Sequence, residues 1–166
     1  MTLPDAEALL ERLAEKIAPD LVAETRLVGI HTGGVWVARR LHDRLGMSGE
    51  VGTIDVAFYR DDYKKKGLSP GVRPSDLPFD VEDATIILVD DVLYTGRTIR
   101  AAMNEIFDYG RPGAIRLAAL VDRGERQLPI CPQYVGAEVT IGRDQMIELR
   151  SDPNGRLSLA VTQRAD

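Results

Sequence analysis

The sequence predicts an α/β fold in which a mainly parallel sheet is doubly wound by helices. Short apolar runs alternate with amphipathic helical segments along the chain, which is the pattern of such a sheet. The run at residues 86–89 is apolar throughout and indicates a strand buried on both faces. Near the end, the turn signal at residues 152–155 separates two apolar runs and predicts a C-terminal hairpin. The length of 166 residues fits one domain, which we assign to residues 1–166.

The individual elements follow from local periodicity. Apolar side chains at three- and four-residue spacing predict helices, whereas short apolar or alternating runs predict strands. The predicted helices cover residues 4–17, 35–45 and 99–107, the last of which is ended by Gly110 and Pro112. The predicted strands cover residues 27–30, 52–59, 86–89, 115–121, 134–135, 139–141, 146–149 and 157–161. Residues 52–59 alternate as a half-exposed strand does.

The composition argues against several classes of protein. A net charge of −5 and an isoelectric point of about 5.1 argue against a broad nucleic-acid-binding surface. No apolar run is long enough to cross a bilayer, so we expect no membrane association. The single cysteine cannot form an internal disulfide, and the N-terminus lacks a signal-peptide core, so we expect a cytoplasmic protein. The two histidines show no metal-ligand spacing, so we expect no structural zinc.

The stretch from residue 86 to residue 98 carries the strongest functional signal. Asp90 and Asp91 follow the buried run, and Thr95, Gly96 and Thr98 form a turn before a helix. The first N–H groups of a helix lack partners, so this turn can bind a phosphate. The two carboxylates would repel that phosphate and instead suit sugar hydroxyls or a hydrated Mg²⁺. The alternative is an ordinary buried strand with a polar turn, in which adjacent acids would have no packing use.

A second turn of the same kind lies at Thr32-Gly33-Gly34. It joins the strand predicted at residues 27–30 to the following helix, so it offers free N–H groups to a second anion. His31 precedes this turn and is either a further anion-binding group or a loop histidine without a ligand. Ligands bind at the carboxyl ends of strands in such sheets, so we expect this turn and the Asp90 turn to lie together.

The segment from residue 60 to residue 83 is too long for a plain connection in a compact domain. It contains several prolines and glycines and the run Lys64-Lys65-Lys66. Such a segment is either a solvated, disordered loop or a mobile hood that closes over a polyanionic substrate. We favour the hood.

The central stretch resembles the motif with which type I phosphoribosyltransferases bind phosphoribosyl pyrophosphate (PRPP). The sequence of residues 89–98, Val-Asp-Asp-Val-Leu-Tyr-Thr-Gly-Arg-Thr, is even more similar to the motif of one branch of that family. Members of that branch combine uracil phosphoribosyltransferase activity with the regulation of pyrimidine operons. Residues 51–56, 59–62, 110–112 and 120–124 extend the resemblance over most of the chain.

The resemblance implies a type I phosphoribosyltransferase fold with a flexible hood loop over residues 60–83 and roles for particular residues. Asp90 and Asp91 would be catalytic, through the ribose hydroxyls and a sugar carbon that becomes cation-like. Arg123 would contact the nucleotide, and the main chain at Ile147 would read uracil. Mg²⁺ would arrive with PRPP rather than at a resident metal site. The 5′-phosphate would be held by the turn that comprises Val92, Leu93, Tyr94, Thr95, Gly96, Arg97 and Thr98, and the pyrophosphate by Thr32, Gly33 and Gly34.

One departure from the family pattern concerns the pyrophosphate turn. The family wording there is Thr-Arg-Gly, and this chain carries Gly33 in place of the arginine. The missing guanidinium removes a charge that would pair with pyrophosphate. His31 is the candidate to replace part of it.

The implied reaction converts uracil and PRPP to UMP and pyrophosphate, as in pyrimidine salvage. One rival within the enzyme class is a phosphoribosyltransferase for a purine or for orotate. A rival from another class is a UMP-responsive, RNA-binding attenuator of pyrimidine genes. The resemblance also implies a homodimer or a higher even homo-oligomer.

Several charged residues argue against strong RNA binding. The RNA-binding relatives carry basic residues on the first helix, whereas this chain has Glu7, Glu11 and Glu15 there. Those relatives also have a histidine where this chain has Glu125. Acids beside a phosphate backbone repel it and remove counterion release. A different basic patch remains open on the second predicted helix, formed by Arg39, Arg40 and Arg44.

Overall fold

A computed structural model describes residues 2–56 and 75–165 of the chain. The helices are α1 (Ala6–Ile17), α2 (Gly33–Arg44) and α3 (Arg97–Phe107), with a short 3₁₀ turn at Ala18–Asp20 after α1. The strands are β1 (Thr25–Ile30), β2 (Gly52–Ile54), β3 (Thr85–Leu93), β4 (Ala114–Asp122), β5 (Tyr134–Glu138), β6 (Gln145–Ser151) and β7 (Leu157–Gln163). No helix of these residues is both long and apolar enough to cross a membrane.

Five parallel strands form the central sheet in the order β2-β1-β3-β4-β5. The two remaining strands, β6 and β7, form the antiparallel C-terminal hairpin, in which Ile147 pairs with Val161. From β1 the chain crosses to β2 on one side, whereas from β3 it crosses to β4 on the other. The switch point of the sheet therefore lies between β1 and β3, where open α/β sheets bind their ligands.

The sheet separates two apolar cores, because β3 sends alternate side chains to opposite faces. Ile87 and Val89 join the core that is covered by α1, α2 and the hairpin. Ile86 and Leu88 join the core that is covered by α3. Helices on both faces and a parallel sheet confirm the predicted doubly wound α/β fold with a C-terminal hairpin.

Three details differ from the sequence-based expectation. Strand β3 does not end before the acidic pair but continues to Leu93, because β4 pairs with it as far as Leu93↔Asp122. Strand β2 is buried throughout rather than half-exposed. Its outer edge is closed by Asp76, which exchanges two backbone hydrogen bonds of 2.7 and 2.8 Å with Thr53. Residues 139–141 form no strand.

The predicted hood lies largely outside the described residues, including its lysine run. The part within the described residues, 75–83, lies along the sheet. Leu77 and Phe79 pack against the α3-side core and stand over Gly52. Residues 75–83 of this segment therefore belong to the body of the fold.

Candidate active site

The candidate site lies at the end of the sheet where the carboxyl ends of β1 and β3 are found. It comprises residues 31–34 and 90–98, which are called the carboxyl edge. Strand β1 pairs with β3 as far as Gly29↔Val89, and the β1 chain then turns into α2. Among the described residues, the rest of β3 pairs with β4 alone. The acidic pair therefore stands where the neighbouring strand has left the sheet, beside the first residues of α2.

Both acids of the pair are held by backbone groups of their own strand. Asp90 is 5% exposed, and its Oδ1 accepts a 2.9 Å hydrogen bond from the Asp91 N–H. Asp91 is partly exposed, and its Oδ1 accepts a 2.8 Å hydrogen bond from the Val92 N–H. These bonds fix the orientation of each carboxyl group before any ligand binds.

The turn between β3 and α3 has the geometry of an anion-binding loop. Gly96 adopts a left-handed φ of 93° directly before the first residue of α3, a conformation that favours glycine. The Arg97 N–H donates to Thr95 Oγ1 over 3.3 Å, and the next N–H groups of α3 lie in its first turn, where helical partners are lacking. This helix N-terminus can therefore receive a phosphate.

The segment that follows β4 holds this turn from outside. The Thr95 carbonyl accepts from the Gln127 N–H at 2.9 Å and from the Leu128 N–H at 3.2 Å. The Arg126 guanidinium donates to the Tyr94 carbonyl at 2.8 Å and to Asp122 Oδ2 at 2.6 Å. Sequence reasoning missed Arg126, because nothing local indicates a contact between residues 32 positions apart.

Arg123 joins the site through the ring of Tyr94. Its guanidinium lies 3.9 Å from the ring centroid, and the residue is 6% exposed. It donates to the Gln145 carbonyl and to Glu125 Oε2, each over 2.9 Å. The Arg164 guanidinium lies 5.7 Å from the same centroid. The aromatic ring at the start of the β3–α3 turn is thus fixed between β4 and the C-terminal hairpin by cation–π contacts.

The β1–α2 turn reaches the same edge. The His31–Thr32 peptide bond is cis, and the Thr32 carbonyl accepts from the Val35 N–H at 3.2 Å. Gly33 and Gly34 are the first residues of α2 rather than a turn before it. Gly33 lies against the carboxyl group of Asp91, so the two predicted anion-binding turns adjoin.

The residues predicted to bind PRPP thus lie together at the carboxyl edge. The two remaining predicted residues, Arg123 and Ile147, lie in different surroundings. Arg123 adjoins the site through Tyr94. Ile147 is 7% exposed and belongs to the α1-side core, so its side chain is not available to a ligand. Strand β6, which carries Ile147, contacts β3.

The donor set of this edge fits a metal ion that arrives with its substrate. No group of three or more metal-binding side chains occurs among residues 2–56 and 75–165. Two neighbouring carboxylates are nevertheless the oxygen ligands that Mg²⁺ takes when substrate phosphates supply the remaining contacts. The described residues therefore fit a magnesium–PRPP complex.

A second charged region lies between α1 and α2 and is called the α1–α2 face, comprising Glu7, Glu11, Arg40 and Arg44. Arg40 binds Glu7 in an ion pair of 2.5 Å, and Arg44 pairs with Glu11. Glu7 Oε1 also accepts a 2.8 Å hydrogen bond from the Leu157 N–H of the hairpin. Two of the three arginines of the possible basic patch are therefore neutralised by acids of α1.

Comparisons with known proteins agree with this geometry. A family model for the phosphoribosyl transferase domain matches residues 2–143. The Bifunctional protein PyrR of Pseudomonas paraeruginosa is 50% identical over 153 residues, which is 90% of each chain. The protein of the same name from Ralstonia nicotianae is 51% identical over 91% of this chain and 88% of its own length.

Solved structures share the fold. A hypoxanthine-guanine phosphoribosyltransferase from Bacillus anthracis superposes with a TM-score of 0.66 at 22% identity, over 84% of this chain and 83% of that one. A purine phosphoribosyltransferase from Pyrococcus horikoshii superposes with a TM-score of 0.62 at 25% identity, over 84% and 85%. The described strands, the two adjoining turns and these matches lead to one assignment: the chain belongs to the phosphoribosyltransferase family and, within it, to the PyrR proteins.

Proposed function

We propose that this chain is a uracil phosphoribosyltransferase that converts uracil and PRPP to UMP and pyrophosphate. The observation that carries the proposal is the meeting of three elements at one sheet edge. These are the acidic pair of β3, the segment at residues 92–98 that leads into α3, called the phosphate turn, and the segment at residues 32–34 whose glycines open α2, called the glycine turn. Each matches one part of PRPP: the ribose, the 5′-phosphate and the pyrophosphate.

The phosphate turn holds the 5′-phosphate by backbone donors. The first N–H groups of α3 carry partial positive charge and need no rearrangement to face an anion. Thr95 is buried and serves the turn itself, whereas Thr98 is partly exposed and offers a hydroxyl to the ligand. Residues 92–98 thereby anchor one end of the substrate.

The acidic pair acts on the sugar. In the proposed reaction, N1 of uracil forms a bond to C1 of the ribose while the bond from C1 to pyrophosphate breaks, and uracil loses its N1 proton. The sugar carbon passes through a cation-like state, as in glycosyl transfer generally. Carboxylates already fixed by Asp91 N–H and Val92 N–H stabilise that charge without reorganisation.

The departing pyrophosphate is held by the glycine turn of residues 32–34, whose N–H groups open α2. Mg²⁺ that arrives with PRPP would supply positive charge to offset the negative charge of the pyrophosphate. Asp90 and Asp91 are the residues that would complete its coordination. Gly33 supplies no charge to this end of the site.

The base lies on the side of β4 and β6. Arg123 and Tyr94 are packed at that side, where the Arg123 guanidinium is fixed by the Gln145 carbonyl at the start of β6. The main chain at Ile147 on the same strand is the proposed reader of uracil. We further propose that the protein works as a homodimer or a higher even homo-oligomer, as the resemblance implies.

A product assay tests the substrate assignment. The purified protein is incubated with PRPP, Mg²⁺ and, in parallel, uracil, orotate, hypoxanthine or guanine, and the nucleotides are separated. We expect UMP from uracil and at least about tenfold lower kcat/KM with each other base, which corresponds to about 1.4 kcal/mol of discrimination. Preferred turnover of a purine or of orotate would replace uracil with that base.

A second candidate function is UMP-responsive binding to the leader RNA of pyrimidine genes. The observation that favours it is the name of the relatives, which describes those proteins as bifunctional. The observation against it is the α1–α2 face, where acids of α1 pair with arginines of α2. We therefore propose that catalysis is the main task and that RNA binding is weak.

A further inference from the structure

Gly33 lies where its missing side chain leaves room for the carboxyl group of Asp91. A methyl group placed on Gly33 would overlap Asp91 Oδ2, and it would lie 2.7 Å from Cγ and 3.0 Å from Cβ of Asp91. Carbon atoms pack favourably at about 3.5–4.0 Å, so these separations are repulsive. In this chain, which has glycine in place of the arginine of the family pattern, the Asp91 carboxyl group therefore occupies the space into which a side chain at position 33 would point.

The other side of this carboxyl group is also fixed. Asp91 Oδ1 accepts the 2.8 Å hydrogen bond from the Val92 N–H, which leaves Oδ2 directed towards the β1–α2 turn. The group is thus confined between its own strand and the first residue of α2. A confinement of this kind limits the positions that a carboxylate can take, which matters when it faces a developing charge.

We infer that Gly33 is a positioning residue for Asp91 in the phosphoribosyl transfer reaction. Its lack of a side chain lets one carboxylate stand at the junction of the sugar side and the pyrophosphate side of the site. The inference rests on the proposed function for the roles of the two turns, but the contact between Gly33 and Asp91 does not. A side chain at position 33 misplaces the carboxylate and lowers the rate of the chemical step.

The neighbouring glycine provides a matched control. A methyl group on Gly34 would lie 2.6 Å from the Val89 carbonyl oxygen and 3.2 Å from the Asp90 Cα, which are backbone atoms. Removal of the Asp91 carboxyl group leaves that obstacle in place. An added methyl group therefore meets a side chain at position 33 and backbone atoms at position 34.

The experiment is a pair of double-mutant cycles with Gly33→Ala, Gly34→Ala and Asp91→Ala. In the wild-type background, Gly33→Ala should lower Tm by about 3 °C or more. In the Asp91→Ala background the loss of Tm should be at most half as large, because the contacts with Oδ2 and Cγ are gone and only the 3.0 Å contact with the Cβ at position 91 remains. Gly34→Ala should lower Tm equally in both backgrounds. An equal loss from Gly33→Ala in both backgrounds would overturn the inference.

The kinetic arm separates positioning from anion binding. Gly33→Ala should lower kcat by about tenfold or more and change the KM for PRPP by less than about threefold, with no further loss of kcat when Asp91 is already alanine. A raised KM with unchanged kcat would overturn the positioning role.

If Gly33→Ala does not fold, the double variant decides: folding supports the inference, and failure to fold overturns it. Absence of uracil turnover in the wild type would overturn the proposed function, while the Tm cycle still decides the contact.

Discussion

The carboxyl edge and the α1–α2 face both carry acids on regular elements, but they use the charge in different ways. At the edge, Asp90 and Asp91 accept hydrogen bonds from backbone N–H groups of their own strand, and glycines open the space beside them. On the face, Glu7 and Glu11 pair with arginines of the next helix. At the edge, backbone donors orient the carboxylates, whereas on the face ion pairs hold two helices together.

The difference predicts opposite costs for the same chemical change. Neutralising a carboxylate at the edge should reduce turnover and leave the stability largely unchanged, because its backbone hydrogen bond survives in the amide. Neutralising a carboxylate on the face should reduce stability and leave turnover unchanged. Four experiments test this contrast.

The largest effect is expected for Asp91→Asn. The amide keeps the shape of the side chain and an oxygen that can accept from the Val92 N–H. It loses the negative charge that we propose faces the sugar, and loss of one preorganised electrostatic contact costs on the order of a hundredfold or more in kcat. Steady-state kinetics with uracil and PRPP measures the loss, and thermal unfolding checks that Tm is preserved.

Glu11→Gln is the control for that prediction, since it makes the same neutralisation on the α1–α2 face. It removes an exposed ion pair with Arg44 and should leave kcat unchanged. An unchanged kcat in Asp91→Asn, or an equal loss in both variants, would contradict the assignment of the edge to catalysis.

Gly96→Ala tests the backbone of the edge rather than its charge. The residue has a φ of 93°, and an added methyl group would lie 2.9 Å from Ile130 Cγ1. Strained φ and overpacking together should lower the free energy of unfolding by about 1–3 kcal/mol. They should also raise the KM for PRPP by about tenfold, because the phosphate turn is displaced.

Gly46→Ala separates the two causes of that effect. Gly46 also has a positive φ, of 62°, but nothing lies within 4 Å of an added methyl group there. It should cost about 1 kcal/mol of stability through backbone strain alone and leave the KM for PRPP unchanged. A similar rise in KM in both variants would show that the effect of Gly96→Ala is general destabilisation.

The sequence allowed the edge to be predicted because its chemistry is local. Each of the two turns is a continuous strand–turn–helix segment, so the places of Thr32 and Thr95 at the sheet edge could be predicted from their neighbours alone. The extension of β3 through Asp91 could not be foreseen, because it depends on the length of β4. The contacts of Arg126 with Tyr94, and of Glu7 with Arg40, join residues 32 and 33 positions apart and exist only in the folded chain.

A moderate effect on stability is expected for Glu7→Gln on the α1–α2 face. The hydrogen bond from Arg40 lowers the pKa of the Glu7 carboxyl group below its usual 4.5, with a further lowering from the Leu157 N–H. The variant should lose about 0.5–1 kcal/mol of stability at pH 7, or about 1–4 °C in Tm, with kcat unchanged.

The pH dependence of that loss follows from the direction of the pKa shift. A carboxyl group with a lowered pKa in the folded state stabilises the fold above its unfolded pKa of about 4.5. That contribution disappears as the pH falls through the lower, folded value. The Tm difference between wild type and Glu7→Gln should therefore be constant from about pH 8 to about pH 5.5 and shrink below about pH 4.5. A difference that persists undiminished at the lowest pH would show that the pair is not electrostatic.

The smallest effect concerns RNA. Because Arg40 and Arg44 are paired with acids, the wild-type α1–α2 face offers little unneutralised charge to a phosphate backbone. Binding of a pyrimidine-leader hairpin at near-physiological salt should be no tighter than about micromolar, equal to that of a scrambled hairpin and insensitive to UMP.

The double change Glu7→Gln and Glu11→Gln releases two arginines without adding a cation. It should tighten binding to both hairpins by only a few-fold and steepen the slope of log K against log salt by about 1 to 2, since each new phosphate contact releases about one counterion. Fluorescence anisotropy titrations at several salt concentrations measure both quantities. Nanomolar binding by the wild type that prefers the leader and responds to UMP would show that the face does not limit RNA binding, and regulation would then rank beside catalysis.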